Sequence, residues 1–381
     1  MEKDNKLLYE QIVGYLKDKI ESKELVEDDK LPTELDLAEH FGVSRITSKR
    51  ALEELRIQGL IYRIRGSGSF VAPQKVTSNA VYNTNTTVKP TNITNIISIV
   101  LPFDASNGGM METIKGASEV LSQYGYFLSI HSCQRDFEKE RDILSNLFDQ
   151  KVGGVILYPI SDRENLEVIS KFYIDQFPIV TIDKYFESIP ISYVVSDNAK
   201  GAYNSTKYLI DLGHQKIGFI SDETIESATS IRRRYFGYCQ ALKENEISID
   251  ERYINTGFAP CRQQVVEYDK QKYNTIVNKL ITNGVTAFVC VNDYVASAVM
   301  HSVTGLGFEV PKDISIVGFD DIEIATHLQV PLTTVSQDFY EMGRKAATLL
   351  LEDFEQKHKY NEIVLPTKMV VRNSCSHCIK N

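Results

Sequence analysis

A chain of 381 residues with 43% hydrophobic and 24% charged side chains is long enough for two or three cored domains and has an ordinary globular composition. No apolar run reaches the ~18 residues of a membrane span and no basic-plus-apolar leader opens the sequence, so membrane insertion and secretion are excluded from the expectation and a cytoplasmic protein is predicted. The formal net charge of −9 excludes a chain that is basic throughout, so a polyanionic partner has to be met by a local cluster of cations.

Residues 5–25 read as one amphipathic helix, with Leu8, Ile12, Tyr15, Leu16 and Ile20 at helical spacing. The acidic run from Glu24 to Asp29 reads as a solvated loop. The stretch from Pro32 to Ala51 predicts two short helices around a tight turn. Thr33 N-caps the first, Glu34 places a carboxylate in its first turn, and Leu35, Leu37 and Ala38 supply apolar contacts. Gly42 can take the positive φ of a sharp turn, with Val43 packed behind it. Ser44 caps the second helix, whose first turns expose Arg45, Thr47, Ser48 and Lys49 as hydrogen-bond donors on a rigid rod. An ordinary helical hairpin would share this spacing, but the next segment adds a second signal. Ile61 to Arg65 and Ser69 to Val71 alternate in period two around Gly66, Ser67 and Gly68, which predicts a β-hairpin. Between Phe41 and Ala72 six Lys or Arg stand against two acids, a local net of +4 in a chain of −9.

Residues 7–72 resemble the winged-helix DNA-binding domain of the GntR family, through LPTE at 31–34, FGVSR at 41–45 and GSGSFV at 66–71. The resemblance implies DNA contact by Arg45, Thr47 and Lys49 from a recognition helix and by Arg65, Gly66, Ser67 and Gly68 from a wing. Thr33, Glu34, Ser44 and Ser48 complete the candidate DNA-facing set. Leu35 stands where that family usually carries a polar residue, often arginine. Ile46 replaces a common threonine, and Lys49 replaces an arginine, losing bidentate geometry. The resemblance therefore carries no operator sequence over to this chain.

Residues 73–95 are rich in Thr, Asn, Val and Pro without helical period, and read as a linker. They do not resemble the hinge helix of LacI-type repressors. From Ile96 apolar strands alternate with helices, and the pattern restarts near Ala199. Alternation of this kind means parallel sheets covered on both faces. The predicted fold class is α/β: an N-terminal winged helix-turn-helix followed by a two-lobed, Rossmann-like effector domain, with domains at 1–72 and 96–374, the linker between them and a tail at 375–381. Ligands bind outside the carboxyl ends of such strands. Asp104, Gln134, Tyr158, Asp183, Lys184, Asp197, Asn292, Asp293 and Asp320 all fall at predicted strand ends, where carboxylates, amides and aromatics suit a sugar. Each could equally be a helix N-cap.

Residues 96–374 resemble the periplasmic-binding-protein-like effector domain of the LacI/GalR family. The carrying motifs are HQKIGFI at 214–220, Arg234 three residues before Gly237, FVCVND at 288–293, SIVGFDD at 315–321, PLTTVSQD at 331–338 and VVRNS at 370–374. The resemblance implies that Arg234 and Asp293 grip vicinal hydroxyls as a charge-assisted pair, with Asp104, Lys184 and Gln337 as partners. An interlobe salt bridge is the other reading of that pair.

No GxSxG, HExxH or Walker lysine motif is present, so an enzyme is not expected. The six cysteines are scattered apart from a CxxC at 375–378, which reads as reduced surface thiols; neither metal nor cofactor is expected. A GntR-type reader on a LacI-type sensor resembles the arabinose-repressor family of Gram-positive bacteria. It implies a homodimeric repressor of carbohydrate-utilisation genes that binds a pseudopalindromic double-stranded operator and leaves it when a small sugar such as L-arabinose binds. Two alternatives stay open: a purine or sugar phosphate acting as corepressor, and a sugar sensor whose head recruits protein in place of DNA.

Overall fold

The structure, a computed structural model, describes residues 8–22, 24–26, 29–57, 60–64, 68–71, 94–102, 108–150, 152–258, 269–356 and 360–378. The chain divides into two compact units, residues 1–88 and 89–381. The linker read at 73–95 lies outside the described residues except at its last two positions.

The first unit holds helices α1 (Leu8–Glu21), α2 (Glu34–Phe41) and α3 (Arg45–Ile57) and strands β1 (Ile61–Ile64) and β2 (Gly68–Val71). Ile12, Leu16 and Ile20 of α1 meet Leu37 of α2, Leu52 and Leu55 of α3, Ile61 and Val71 in one small core. Helix α1 stops short of the predicted residue 25, because Leu25 turns back onto this core and donates its N–H to Lys19 O at 2.9 Å. Thr33 caps α2 by accepting from Asp36 N at 3.2 Å. Asp36 reciprocates by accepting Thr33 N–H at 2.9 Å and the Thr33 hydroxyl at 2.8 Å, and these two bonds hold its carboxyl below the ordinary range. Gly42 ends the helix at φ 60° and donates to Ala38 and Glu39 carbonyls. Ser44 Oγ accepts Thr47 N–H at 3.2 Å and so caps α3. Strands β1 and β2 pair antiparallel, Ile61 opposite Val71 and Ile64 opposite Gly68. Asp29 to Leu31 adds a third edge to this wing through Leu31 N–H to Ser69 O and Val71 N–H to Asp29 O, both 2.9 Å.

Leu35 departs from expectation. It is 56% exposed and supplies no core contact. Ser48 departs in the opposite sense: it is fully buried, and its hydroxyl donates to Glu34 O at 2.6 Å and Arg45 O at 3.1 Å. Its role is to join α2 to α3, which removes it from the DNA-facing set. Ser48→Ala is expected to destabilise this unit by ~1 kcal/mol, the worth of one buried hydrogen bond, while leaving DNA affinity within about threefold below the unfolding transition. Thermal unfolding and DNA titration of the same sample check both halves.

The second unit is two lobes of one design. The chain builds β3 (Ile96–Leu101), α4 (Met110–Gln123), β4 (Phe127–Ser132), α5 (Phe137–Asp149), β5 (Gly154–Leu157), α6 (Leu166–Ile174), β6 (Ile179–Ile182) and β7 (Tyr193–Ser196) in lobe one. It then crosses to lobe two for α7 (Asn198–Asp211), β8 (Ile217–Ser221), α8 (Thr229–Glu244), β9 (Ile254–Thr256), α9 (Lys270–Thr282), β10 (Ala287–Cys290), α10 (Asp293–Gly305), β11 (Ser315–Asp320), α11 (Ile324–His327) and β12 (Thr333–Ser336). Helix α12 (Phe339–Gln356) and β13 (Glu362–Leu365) return to lobe one, and β14 (Lys368–Val370) ends in lobe two. The sheets run β4-β3-β5-β6-β7-β13 and β9-β8-β10-β11-β12-β14, parallel throughout except for β12 with β14.

Helix α12 sits on lobe one because glycines let it approach α4 backbone to backbone: a Cβ on Gly116 would lie 2.1 Å from Tyr340 O, and one on Gly343 2.0 Å from Thr113 O. The stretch between α8 and β10, read as irregular, contains β9 and α9. The carboxyl-terminal segment also differs from the surface tail expected. Ser374 is buried and accepts Thr333 N–H at 2.8 Å, His214 contacts Ser376 O at 3.1 Å, and Cys378 N–H donates to Leu212 O at 2.9 Å. Cys375 Sγ donates to Ile316 O, and burial lifts its thiol to about 11, so this cysteine is a packed, protonated neighbour of β11 and no surface thiol.

Candidate functional site

The carboxyl ends of the central strands of both lobes face one cavity of about 610 Å³. Of the sequence candidates, Tyr158, Asp183, Lys184, Arg234, Asn292, Asp320 and Gln337 line it. Asp183 follows β6 at φ 64°, and Asp320 ends β11 at φ 113° with Asp321 at 57°. Side chains rarely occupy that region, so the backbone strain falls where strands deliver carboxylates to the cleft.

Arg234 is the organising cation. Its Nε donates to Asn198 Oδ1 at 2.8 Å and its Nη1 to Val291 O at 2.6 Å; its guanidinium lies 3.8 Å over Phe319 and 3.4 Å from Asp320 Oδ1. All these groups belong to lobe two, so the pair it makes is not an interlobe bridge. Gln337 Nε2 donates to Asp320 Oδ1 at 2.6 Å. Gln337 Oε1 is buried and meets no hydrogen-bond partner among the described residues. Lys184 is buried, with Nζ donating to Pro159 O and Ile160 O, both at 3.1 Å, and lying 4.9 Å over the Tyr158 ring. Both cations are thus anchored by protein acceptors, beside carboxylates that also line the cavity.

Asp293, paired with Arg234 in the sequence reading, is placed elsewhere. It is fully buried beneath the cavity, accepting Ile322 N–H at 3.0 Å and the Thr334 hydroxyl at 2.5 Å, and Asp320 takes the position beside Arg234. Asp197 is the N-cap of α7, accepting Lys200 N–H at 3.0 Å, and does not line the cavity. Gln134 is exposed and accepts Lys139 Nζ at 3.0 Å; its neighbour Arg135 lines the cavity in its stead. Asn292 both caps α10, through Val295 N–H at 2.8 Å, and lines the cavity. Asp104 lies outside the described residues.

Apart from Asp183, sequence reading missed the groups that join the lobes. Arg135, after β4, pairs with Glu223, after β8. Arg232 donates to Asp162 at 2.8 Å, Ser230 to Asp183 at 3.3 Å, Tyr185 N–H to Thr229 at 3.2 Å and Gly108 N–H to the Tyr294 hydroxyl at 3.2 Å. Asp222 beside Glu223 also lines the cavity. Arg135, Asp183 and Glu223 follow predicted strands, but their partners lie far away in sequence.

Burial, then the charge of Asp320, lifts Asp293 to about 8; burial lifts Asp320 to about 6 against the pull of Arg234; burial, then Glu223, lifts Asp222 to about 6. Each carboxyl starts from an ordinary 3.8 and holds its proton more tightly when folded, so the native state binds more protons than the unfolded chain between those limits. Stability contributed by these groups is therefore present at low pH and lost as pH rises through about 6 and then about 8. The urea midpoint of the native chain is expected to fall from pH 5.5 to 8, and Asp293→Asn to flatten the upper half of that fall. A midpoint that rises across the window contradicts the assignment.

In the first unit, Arg45 is exposed and 3.3 Å from Glu34, and Lys49 is exposed one turn further along α3, on the same face. Thr47 is half-buried with its hydroxyl 2.9 Å from that of Ser44. Arg50 turns away and stacks 4.2 Å over Tyr9. Arg65, Gly66 and Ser67 lie outside the described residues, while Gly68 lies beside a cation the sequence reading passed over: a Cβ there would be 3.0 Å from Lys30 Cε. No helix of the described residues is long and apolar enough to cross a membrane.

Residues 8–71 match the family described as bacterial regulatory proteins, gntR family, and residues 206–375 match the periplasmic binding protein-like domain. The chain is 29% identical over 360 residues to the arabinose metabolism transcriptional repressor of Geobacillus stearothermophilus, covering 93% of each protein. It is 32% identical over 286 residues to the HTH-type transcriptional regulator DegA of Bacillus subtilis, covering 74% of this chain and 81% of that one. Among solved structures, the transcription regulator CcpA of Lactococcus lactis superposes with a TM-score of 0.65 at 24% identity, over 74% of this chain and 98% of that one.

Proposed function

Because this chain belongs to the HTH-type bacterial transcriptional regulators, with a gntR-family DNA-binding head and a periplasmic-binding-protein-like body, we propose that it is a cytoplasmic homodimer whose operator is a pseudopalindrome and whose inducer is a neutral sugar such as L-arabinose. It is a DNA-binding repressor and not an enzyme. Arg45, Thr47 and Lys49 read one half-site, and the cation of Lys30 beside Gly68 meets phosphate at the wing. Two heads on a dimer match a two-fold operator, because symmetric subunits present the same surface to each half-site.

The observation that carries the effector reading is the partner status of the cavity groups. Arg234, Lys184 and Arg135 are anchored by protein acceptors, while the carboxylates of Asp183, Asp222 and Asp320 line the cavity. Such a lining takes hydroxyl donors. A phosphate would meet those carboxylates at close range, which disfavours a sugar phosphate or nucleotide as corepressor. Fluorescence anisotropy of the full chain on a duplex selected from a random pool tests the reading. Saturating L-arabinose or another free sugar is expected to weaken binding by at least about tenfold, a coupling of ~1.4 kcal/mol. Unchanged or tighter binding with every free sugar, and a response to a phosphorylated ligand or purine, rejects it.

A further inference from the structure

Taking the cavity as a neutral-sugar site, we infer that its ligand is a glycoside, a sugar ring carrying a second ring at its anomeric carbon, and that the second ring lies along an apolar wall formed by α8, α9 and α10. Several polar groups of the lining hold one another. Lys184 touches Tyr158, Ser230 touches Asp183, and Asp320 joins Arg234 to Gln337. A single sugar ring saturates a cluster of that kind. The cavity continues beyond it, past Ile231, Tyr273, Val295 and Ala298, side chains of the lobe-two core that also line the cavity.

The lining stripe of α10 measures the extra length. It runs from Tyr294 through Val295, Ser297 and Ala298 to His301, and the rise along that stretch of helix is about 10 Å. Volume agrees. At ~30 Å³ per water, the 610 Å³ cavity is worth roughly twenty waters, whereas a pentose replaces about ten at most, because its bonded atoms pack closer than water. Closing the lobes further does not remove the excess. They already meet through Arg135 with Glu223, Arg232 with Asp162, Tyr185 with Thr229 and Gly108 with Tyr294, so the volume is that of a joined cleft. A cavity whose exposed lining is mostly carbon, with polar groups set among it, suits a ligand that joins hydroxyls to an apolar face.

The test is isothermal titration of the full chain with L-arabinose, D-xylose, D-galactose and D-glucose, each as free sugar, as both p-nitrophenyl glycosides and as disaccharide. One glycoside or disaccharide is expected to bind about tenfold or more tighter than its parent sugar, through the apolar area the second ring buries. Ala298→Leu, which fills the apolar wall, is expected to abolish that advantage while leaving the free sugar's affinity within about threefold. The comparison within the native chain stands even if that variant does not fold. A winning disaccharide assigns the wall to a second sugar, and a winning nitrophenyl glycoside assigns it to an aryl group. Equal affinity for a free sugar and all its derivatives overturns the inference and leaves the sugar-sensor reading intact. Binding only of phosphates or purines, set beside these probes, overturns both.

Discussion

Replacing both Arg45 and Lys49 by alanine is expected to lower operator affinity by about two to four decades, at ~1–3 kcal/mol for each base or phosphate interaction removed. Both side chains are exposed on α3, so neither contributes to the core of Ile12, Leu16, Leu37, Leu52 and Leu55, and the thermal unfolding of the head should barely move. The slope of log affinity against log salt should flatten by up to about 2 if both meet phosphate, and by less if Arg45 reads a base edge. Arg45→Ala also releases Glu34 from its 3.3 Å pair, leaving a carboxylate facing DNA, so it should cost more than Lys49→Ala. A double variant that binds the selected duplex with native affinity and native salt slope would remove α3 from the interface.

The legibility of each element in the sequence depends on how local its signal is. The head is readable because its turns are encoded where they occur: Thr33 caps α2, Gly42 sits at φ 60° and Ser44 caps α3. The wing register comes from two-residue alternation, and Ile61 does face Val71. Local pattern cannot say which exposed-looking polar residue is spent internally. Ser48 has the same residue type and spacing as a DNA contact, yet its hydroxyl closes the α2–α3 joint. Asp197, Asn292, Asp293 and Asp320 all sit at strand ends, where a cap, a buried acceptor and a ligand group share one chemistry. Only the tertiary path of β11 decides that Asp320 meets Arg234 while Asp293 lies beneath. Gly318 enforces this, because a Cβ there would lie 2.2 Å from Asp293 Oδ1.

The lobes pose a different problem. Each carries the same strand order, and nothing in the local βα pattern says that α12 and β13 belong to lobe one while β14 belongs to lobe two. Helix α9 escapes a sequence reading because Tyr273, Val277 and Leu280 are its only buried residues among thirteen, a stripe too thin to read against Lys and Asn. The joints that close the cleft escape for a stronger reason. Arg135 and Glu223 lie 88 positions apart, and Arg232 and Asp162 lie 70 apart. A charge that reads as a solvated face in sequence becomes a latch only when two separately built lobes meet.

Arg234→Ala is expected to yield a repressor that holds its operator and no longer responds to sugar. The guanidinium has three functions in the cavity wall: it bonds Asn198 and the Val291 carbonyl, stacks on Phe319, and supplies the charge that keeps Asp320 from rising further. Its removal leaves Asp320 without that cation, so the carboxyl rises further above the ordinary carboxylate range and becomes a weaker acceptor on the face that meets ligand hydroxyls. Loss of the charge-assisted hydrogen bonds, at ~1.5–3 kcal/mol each, predicts an effector affinity lower by one to two decades or more. Arg234→Lys keeps charge but not the planar fork, so it should restore Asp320 ionisation and recover only part of the affinity. Asp320→Asn keeps the Gln337 bond and removes the charge, and should abolish the pH dependence of sugar affinity near pH 6 while leaving the fold intact. Head and cavity lie in separate units, so DNA titration without sugar should match the native chain for all three variants. An Arg234→Ala protein that still leaves DNA at the native sugar concentration would place the effector somewhere other than this cavity.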